Sequence, residues 1–128
     1  MPRYLVDSDV LIWVLRNRQD TISVLNQLVE ETGEPVACSA VSVLEIWAGT
    51  RPAEFSKTGL FLDALEAVPV DRTIARSAAD LLRKHKRHNS PRDWVDAVIA
   101  ATALHHGIPL LTYNRKDYPY TNLVLYPL

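Results

Sequence analysis

Residues 4–15 read Tyr-Leu-Val-Asp-Ser-Asp-Val-Leu-Ile-Trp-Val-Leu: an apolar run, an acid, then a second apolar run. Tyr4, Leu5 and Val6 fit a buried strand ended by Asp7, and Ser8 or Asp9 can cap a helix over 10–15. The same alternation recurs. Ile22, Leu25, Leu28 and Val29 form a helical stripe that stops near Gly33, and Val36, Ala37 and Cys38 read as the next strand. Ser39 to Ser42 opens a helix that runs to Ala48, with Gly49 as its stop. Residues 51–59 read as a polar connection, 60–65 as a short helix and 67–70 as a brief edge strand that tolerates Pro69. Asp71 caps a long helix with the stripe Ile74, Ala78, Leu81 and Leu82, which dissolves into a basic run over 83–88. Ser90-Pro91-Arg92-Asp93 has capping-box spacing with proline at the first helical position. That helix reaches about His106, and residues 110–112 and 123–126 supply the last strands. Strands separated by helices predict an α/β fold whose mainly parallel sheet is covered on both faces.

The chain has 128 residues and a formal charge of −1, which suits one domain over 1–128. A hydrophobic fraction of 48% and a charged fraction of 23% exclude a disordered tail. The lone Cys38 excludes a disulfide framework and a cysteine-based zinc site. The longest apolar runs, 10–15 and 97–101, are far too short to span a bilayer. Asp7 and Asp9 stand where a signal peptide needs apolar residues, so a cytoplasmic protein with no membrane contact is expected.

The acids are unusual, with nine Asp against six Glu in a chain that looks mostly helical. Asp7 ends the first strand, and sheets of this class bind ligands at the carboxyl ends of their strands. Glu45 has apolar sequence neighbours on both sides, and on a helix it shares a face with Val41, Ser42 and Ala48. Asp96 is the only charged residue between Trp94 and Leu104, on a helix apolar all round. Its structural alternative is a salt bridge to Arg92, one turn earlier. Asp93 reads mainly as part of the cap, with a secondary claim on the site. Asp117 follows the strand over 110–112 in a loop where Asn and Asp are also turn formers. Taken together, Asp7, Glu45, Asp96 and Asp117 come from four separated segments that a parallel sheet can bring to one edge. Four such anions call for a hard divalent cation such as Mg²⁺. An acidic Mg²⁺ cluster points to hydrolysis of a phosphate ester or phosphodiester. Setting those four aside leaves three more basic than acidic residues, and the basic stretch over 83–92 leads into the Asp96 helix. Arg83, Lys84, Lys86, Arg87 and Arg92 are therefore candidate contacts to a nucleic-acid backbone, against a plain solvated helix end.

Four stretches, at 4–12, 42–49, 96–104 and 110–118, resemble the four motifs of PIN-domain nucleases, and more closely the VapC ribonuclease toxins of toxin–antitoxin pairs. The resemblance covers nearly the whole chain, in order, and the third motif is its most specific. It implies a three-layer α/β/α sandwich with a central, mainly parallel sheet of four to five strands. It further implies Mg²⁺- or Mn²⁺-dependent endoribonuclease activity, a homodimer and a cognate antitoxin that blocks the site. Asp7, Glu45, Asp96 and Asp117 match the family's four acids in order. Ser8 stands where the family has a small hydroxyl residue, and Asn114 matches its asparagine before the last acid. Tyr113 departs from the basic residue often found there. Two other classes compete. Val-Asp-Ser-Asp-Val at 6–10 also resembles the first motif of haloacid-dehalogenase-type phosphatases, but the glycine usual after the second aspartate and clear downstream Ser/Thr and Lys motifs are missing. A catalytically idle RNA- or antitoxin-binding PIN module would be expected to have lost one of the four acids.

Overall fold

In a computed structural model of the chain, residues 2–86 and 90–128 are described. Strands β1 (Leu5–Val6), β2 (Ala37–Ser39), β3 (Glu66–Val68) and β4 (Leu110–Leu111) form one parallel sheet in the order β3-β2-β1-β4. Around it lie α1 (Ser8–Leu15), α2 (Gln19–Thr32), α3 (Ala40–Ala48), α4 (Phe55–Asp63), α5 (Arg72–His85) and α6 (Pro91–His106). Single 3-10 turns occupy Pro52–Glu54 and Arg115–Asp117.

The period of two along each strand divides the core into two apolar layers. Val6, Cys38 and Leu111 face a cluster with Val10 and Leu11 of α1, Leu25 and Leu28 of α2, Ile46 of α3 and Leu62 of α4. Their neighbours Leu5, Ala37 and Leu110 face Ile99, Ala100 and Ala103 of α6 on the other side. The same helix uses Ala97 and Ala101 to take Ile74, Ala78 and Leu82 of α5. This is the expected three-layer sandwich. Cys38 is fully buried, and burial pushes its thiol pKa up to about 11.

Three expected boundaries change. The stretch over 51–59 is helical rather than a connection, because α4 already starts at Phe55. The Phe55 ring packs edge-on against Trp47 at 5.9 Å, and Gly59 lets the same indole come close, so a stretch with few apolar residues still docks as a helix. The edge strand is Glu66–Val68 and not 67–70, since Pro69 has no N–H to continue the ladder. Residues 123–126 make only an isolated parallel bridge, Leu110 to Leu125. With β4 two residues long, Leu110 alone serves it, donating to Val124 O at 2.9 Å and accepting from Tyr126 N at 2.8 Å.

The start of α6 is fixed as expected: Ser90 Oγ accepts from Asp93 N at 3.2 Å, and Pro91 occupies the first helical position. Gly107 ends the helix at φ 63°, a left-handed conformation that suits a residue without a side chain. Ser90→Ala is expected to cost about 1 kcal/mol. A lowered urea midpoint at unchanged slope reads that loss, and Ser90→Asp, which keeps a capping oxygen, should restore it.

Candidate active site

Register builds the centre of the site. Val6 of β1 pairs with Leu111 of β4, so the next residues, Asp7 and Thr112, leave the sheet side by side. The chain winds β1 to β3 in one direction and then crosses to place β4 beyond β1. The β1/β4 boundary is thus the topological switch point, where the carboxyl ends of an α/β sheet open a crevice. Asp7 is buried there as the N-cap of α1. Its Oδ1 accepts from Ser8 N at 2.7 Å and its Oδ2 from Thr112 Oγ1 at 2.8 Å.

The other acids arrive from three elements. Ser39, the last residue of β2, caps α3 and so places Ser42 and Glu45 one turn apart over α1. The Ser8 hydroxyl donates to Glu45 Oε1 at 2.5 Å and lies 2.8 Å from Ser42 Oγ. Asp96 is 8% exposed on α6 and accepts from Tyr118 OH at 3.4 Å. Asp117 closes its 3-10 turn by donating its N–H to Asn114 O at 2.9 Å. Asn114 in turn donates its own N–H to Thr112 Oγ1 at 3.0 Å, so its backbone joins the turn to the strand end.

Electrostatics ties the four together. The carboxyl of Asp96 is pushed up to about 7, first by burial, then by the charges of Asp7 and Asp117, with Glu45 adding to them and Arg92 opposing. Burial also raises Asp7, while the hydrogen bonds it accepts from Thr112 and Ser8 pull it back. The buried phenol of Tyr118 donates to Asp96, and burial together with the charges of Asp7 and Asp96 holds its proton on. Arg92 does not form the alternative salt bridge to Asp96. Its Nη2 lies 3.9 Å from Asp117 Oδ2 with most of the side chain in solvent. Among the described residues, no three acidic, histidine or cysteine side chains stand close enough to hold one metal ion between them. The donor set is nonetheless all oxygen, partly buried and mutually repelling, which fits a hard cation that keeps most of its waters.

The remaining expected residues are scattered. Asp93 is half-buried one turn before Asp96, with its amide capped by Ser90. Arg83 pairs with Asp80, Lys84 is exposed, and Lys86 is the exposed left-handed cap of α5. Arg87 lies outside the described residues. Three residues that the sequence reading left out of the site belong beside it: Asp9, Thr112 and Tyr118. Asp9 accepts from Tyr113 N at 3.0 Å, and burial, followed by the charge of Asp7, pushes its carboxyl up to about 7. Its signal was the spacing of two from Asp7. Thr112 had the signal of a strand end, and Tyr118 that of a phenol beside an acid.

Residues 4–119 match the PIN domain family. The chain is 35% identical to ribonuclease VapC10 of Mycobacterium tuberculosis over 90% of its own length and 85% of that protein's. It is 31% identical to ribonuclease VapC19 of the same organism, over 90% of its own length and 91% of the relative's. It therefore belongs to the PIN-domain family and, within it, to the VapC ribonucleases. Among solved structures it superposes on a chain of a toxin–antitoxin complex from Klebsiella pneumoniae with TM-score 0.79 and 25% identity, covering 98% of both chains.

Proposed function

We propose that residues 1–128 form one cytoplasmic PIN domain acting as a divalent-metal-dependent endoribonuclease toxin, neutralised by a cognate antitoxin. One observation carries the reading: Asp96 is buried at the carboxyl edge of the sheet, where burial first, and then the charges of Asp7 and Asp117 with an addition from Glu45, resist its ionisation. Asp7, Glu45, Asp96 and Asp117 are the proposed metal and catalytic residues; Mg²⁺ fits them, with Mn²⁺ as an alternative. Such an ion needs only one or two carboxylates beside waters and substrate phosphate. When bound, it supplies charge stabilisation for in-line phosphoryl displacement and an acidified water. Ser8 and Thr112 hold Glu45 and Asp7 in place by donating hydroxyl hydrogen bonds to them. Tyr118 keeps its proton and steadies the Asp96 carboxyl by donating to it. Asp93 and Asn114 act as positioning residues, for the α6 start and for the Asp117 turn. A gel assay on single-stranded RNA, run in Mg²⁺ and in excess EDTA beside a phosphomonoester control, tests this. Phosphomonoester hydrolysis without RNA cleavage would favour the phosphatase reading, and RNA binding with no cleavage in Mg²⁺ an idle module.

The antitoxin reading rests on surface chemistry as well as on the relatives. Ile12 and Trp13 of α1, Leu44 and Trp47 of α3 and Phe55 and Leu60 of α4 are all exposed large apolar side chains. Trp47 and Phe55 touch one another, and adjoining exposed apolar groups are where a partner docks. Homodimerisation is the companion expectation. Light scattering of the purified chain should give twice the 14.4 kDa of one copy, and a monomer at every concentration would remove the dimer.

A further inference from the structure

A second group of cations lies outside the basic stretch over 83–92. The cleft between the ends of α1, α3 and α4 has a volume of about 360 Å³ and is walled by Arg16, Arg51 and Lys57 together with Glu45 and Glu54. Glu45 also belongs to the acidic cluster, where its Oε1 takes the Ser8 hydroxyl. Cleft and cluster therefore share a wall. Lys57 is anchored, donating from Nζ to Leu15 O at 3.0 Å at the end of α1. Arg16 and Arg51 are exposed, and among the described residues neither pairs with a carboxylate. The expected track is differently placed. Arg83 is engaged by Asp80, and Arg92 has Asp117 as its acidic neighbour.

We propose that Arg16 and Arg51 hold a backbone phosphate of the RNA strand beside the cleaved bond, with Lys57 fixing the wall between them. This rests on the ribonuclease reading and adds where the strand runs. A strand lying across Asp7 and Asp96 brings one anion to carboxylates that need a metal to tolerate it. The neighbouring phosphate needs cations of the protein itself. Guanidinium groups with no carboxylate already in place meet that need at least cost, since no existing ion pair has to break. Glu45 and Glu54, which also line the cleft, oppose a second anion there.

The test is fluorescence anisotropy of a short, random-sequence, single-stranded RNA in EDTA over a series of KCl concentrations. A parallel measurement follows cleavage in Mg²⁺. Arg16→Ala and Arg51→Ala should each weaken binding roughly 5–10-fold and flatten the slope of log K against log salt by about 0.7. Arg51→Lys should keep most of that slope, and Arg3→Ala, exposed before β1 at the opposite edge of the sheet, should change both quantities far less. The cleavage KM should rise with the binding loss while kcat stays near that of the unaltered chain. Unchanged affinity and slope in both alanine variants, with normal cleavage by the unaltered chain, overturn the proposal and leave the ribonuclease reading standing. An equal loss in Arg3→Ala also overturns it, because the effect is then general charge. Variants that keep RNA affinity but no longer co-purify with co-expressed antitoxin assign the cleft to the protein partner instead. An unaltered chain that neither binds nor cleaves RNA removes both readings together.

Discussion

Asp7→Asn and Asp96→Asn are each expected to lower RNA cleavage by roughly 10²–10⁴-fold, the range in which a positioned catalytic group contributes. Asparagine is the informative replacement because Asp7 has two duties. It caps α1 through the Ser8 amide, and asparagine caps about as well as aspartate. Alanine at the same place would add a cap loss of about 1 kcal/mol and mix folding with chemistry. At Asp96 the amide oxygen can still accept from Tyr118 OH, so the fold keeps that contact while the charge goes. Excess EDTA should silence the unaltered chain to the same degree, and Mg²⁺ should restore it. Full activity in either variant, or in EDTA, refutes the metal reading. Circular dichroism alongside the assay confirms that lost activity is not lost structure.

The same Asp96→Asn variant should melt higher than the unaltered chain when both are free of metal at pH 8. An unfolded aspartate ionises near 3.8, whereas in the fold Asp96 holds its proton until about 7. Between those values the unfolded chain sheds the proton first. Stability is therefore fully present below about pH 4, falls as pH rises towards 7 and stays low above it. A shift of that size is worth at most about 4 kcal/mol. The other carboxylates readjust when one is neutralised, so the expected gain is about 1–2 kcal/mol, or roughly 4–8 °C in Tm. Below pH 4 the two proteins should melt together. Mg²⁺ should raise the unaltered chain more than the variant, because a ligand of the folded state alone stabilises it. A variant that melts lower at pH 8 and answers Mg²⁺ like the unaltered chain takes Asp96 out of the site.

Much of this architecture was legible in the residues, for reasons that differ from place to place. Ser90, Pro91 and Gly107 announce both ends of α6 by local chemistry, and the apolar sequence around Asp96 makes its carboxyl conspicuous without any knowledge of neighbours. Asp7 was equally visible, since a strand end is a local pattern. Glu45 stood out by its apolar sequence neighbours, but its partner needed the tertiary fold, because only the packing of α3 over α1 brings it to Ser8. Tyr118 and Thr112 carried only faint local signals: their roles come from the Val6–Leu111 register and from a phenol that turns inward, neither of which leaves a periodic trace. The start of α4 was hidden by composition, as its docking rests on Trp47, Phe55 and Gly59 rather than on a long apolar stripe.

The buried sulfur in the sheet has a practical consequence. Cys38 is the only thiol in the chain, it sits on β2 with no exposed surface, and burial holds its proton on to about pH 11. Mild oxidants and disulfide exchange act on thiolates they can reach, so the native molecule is indifferent to the redox state around it. A thiol-reactive dye meets this atom only when the sheet itself opens. The single cysteine is thus a built-in clock for global opening, readable on the unmodified protein without an engineered label.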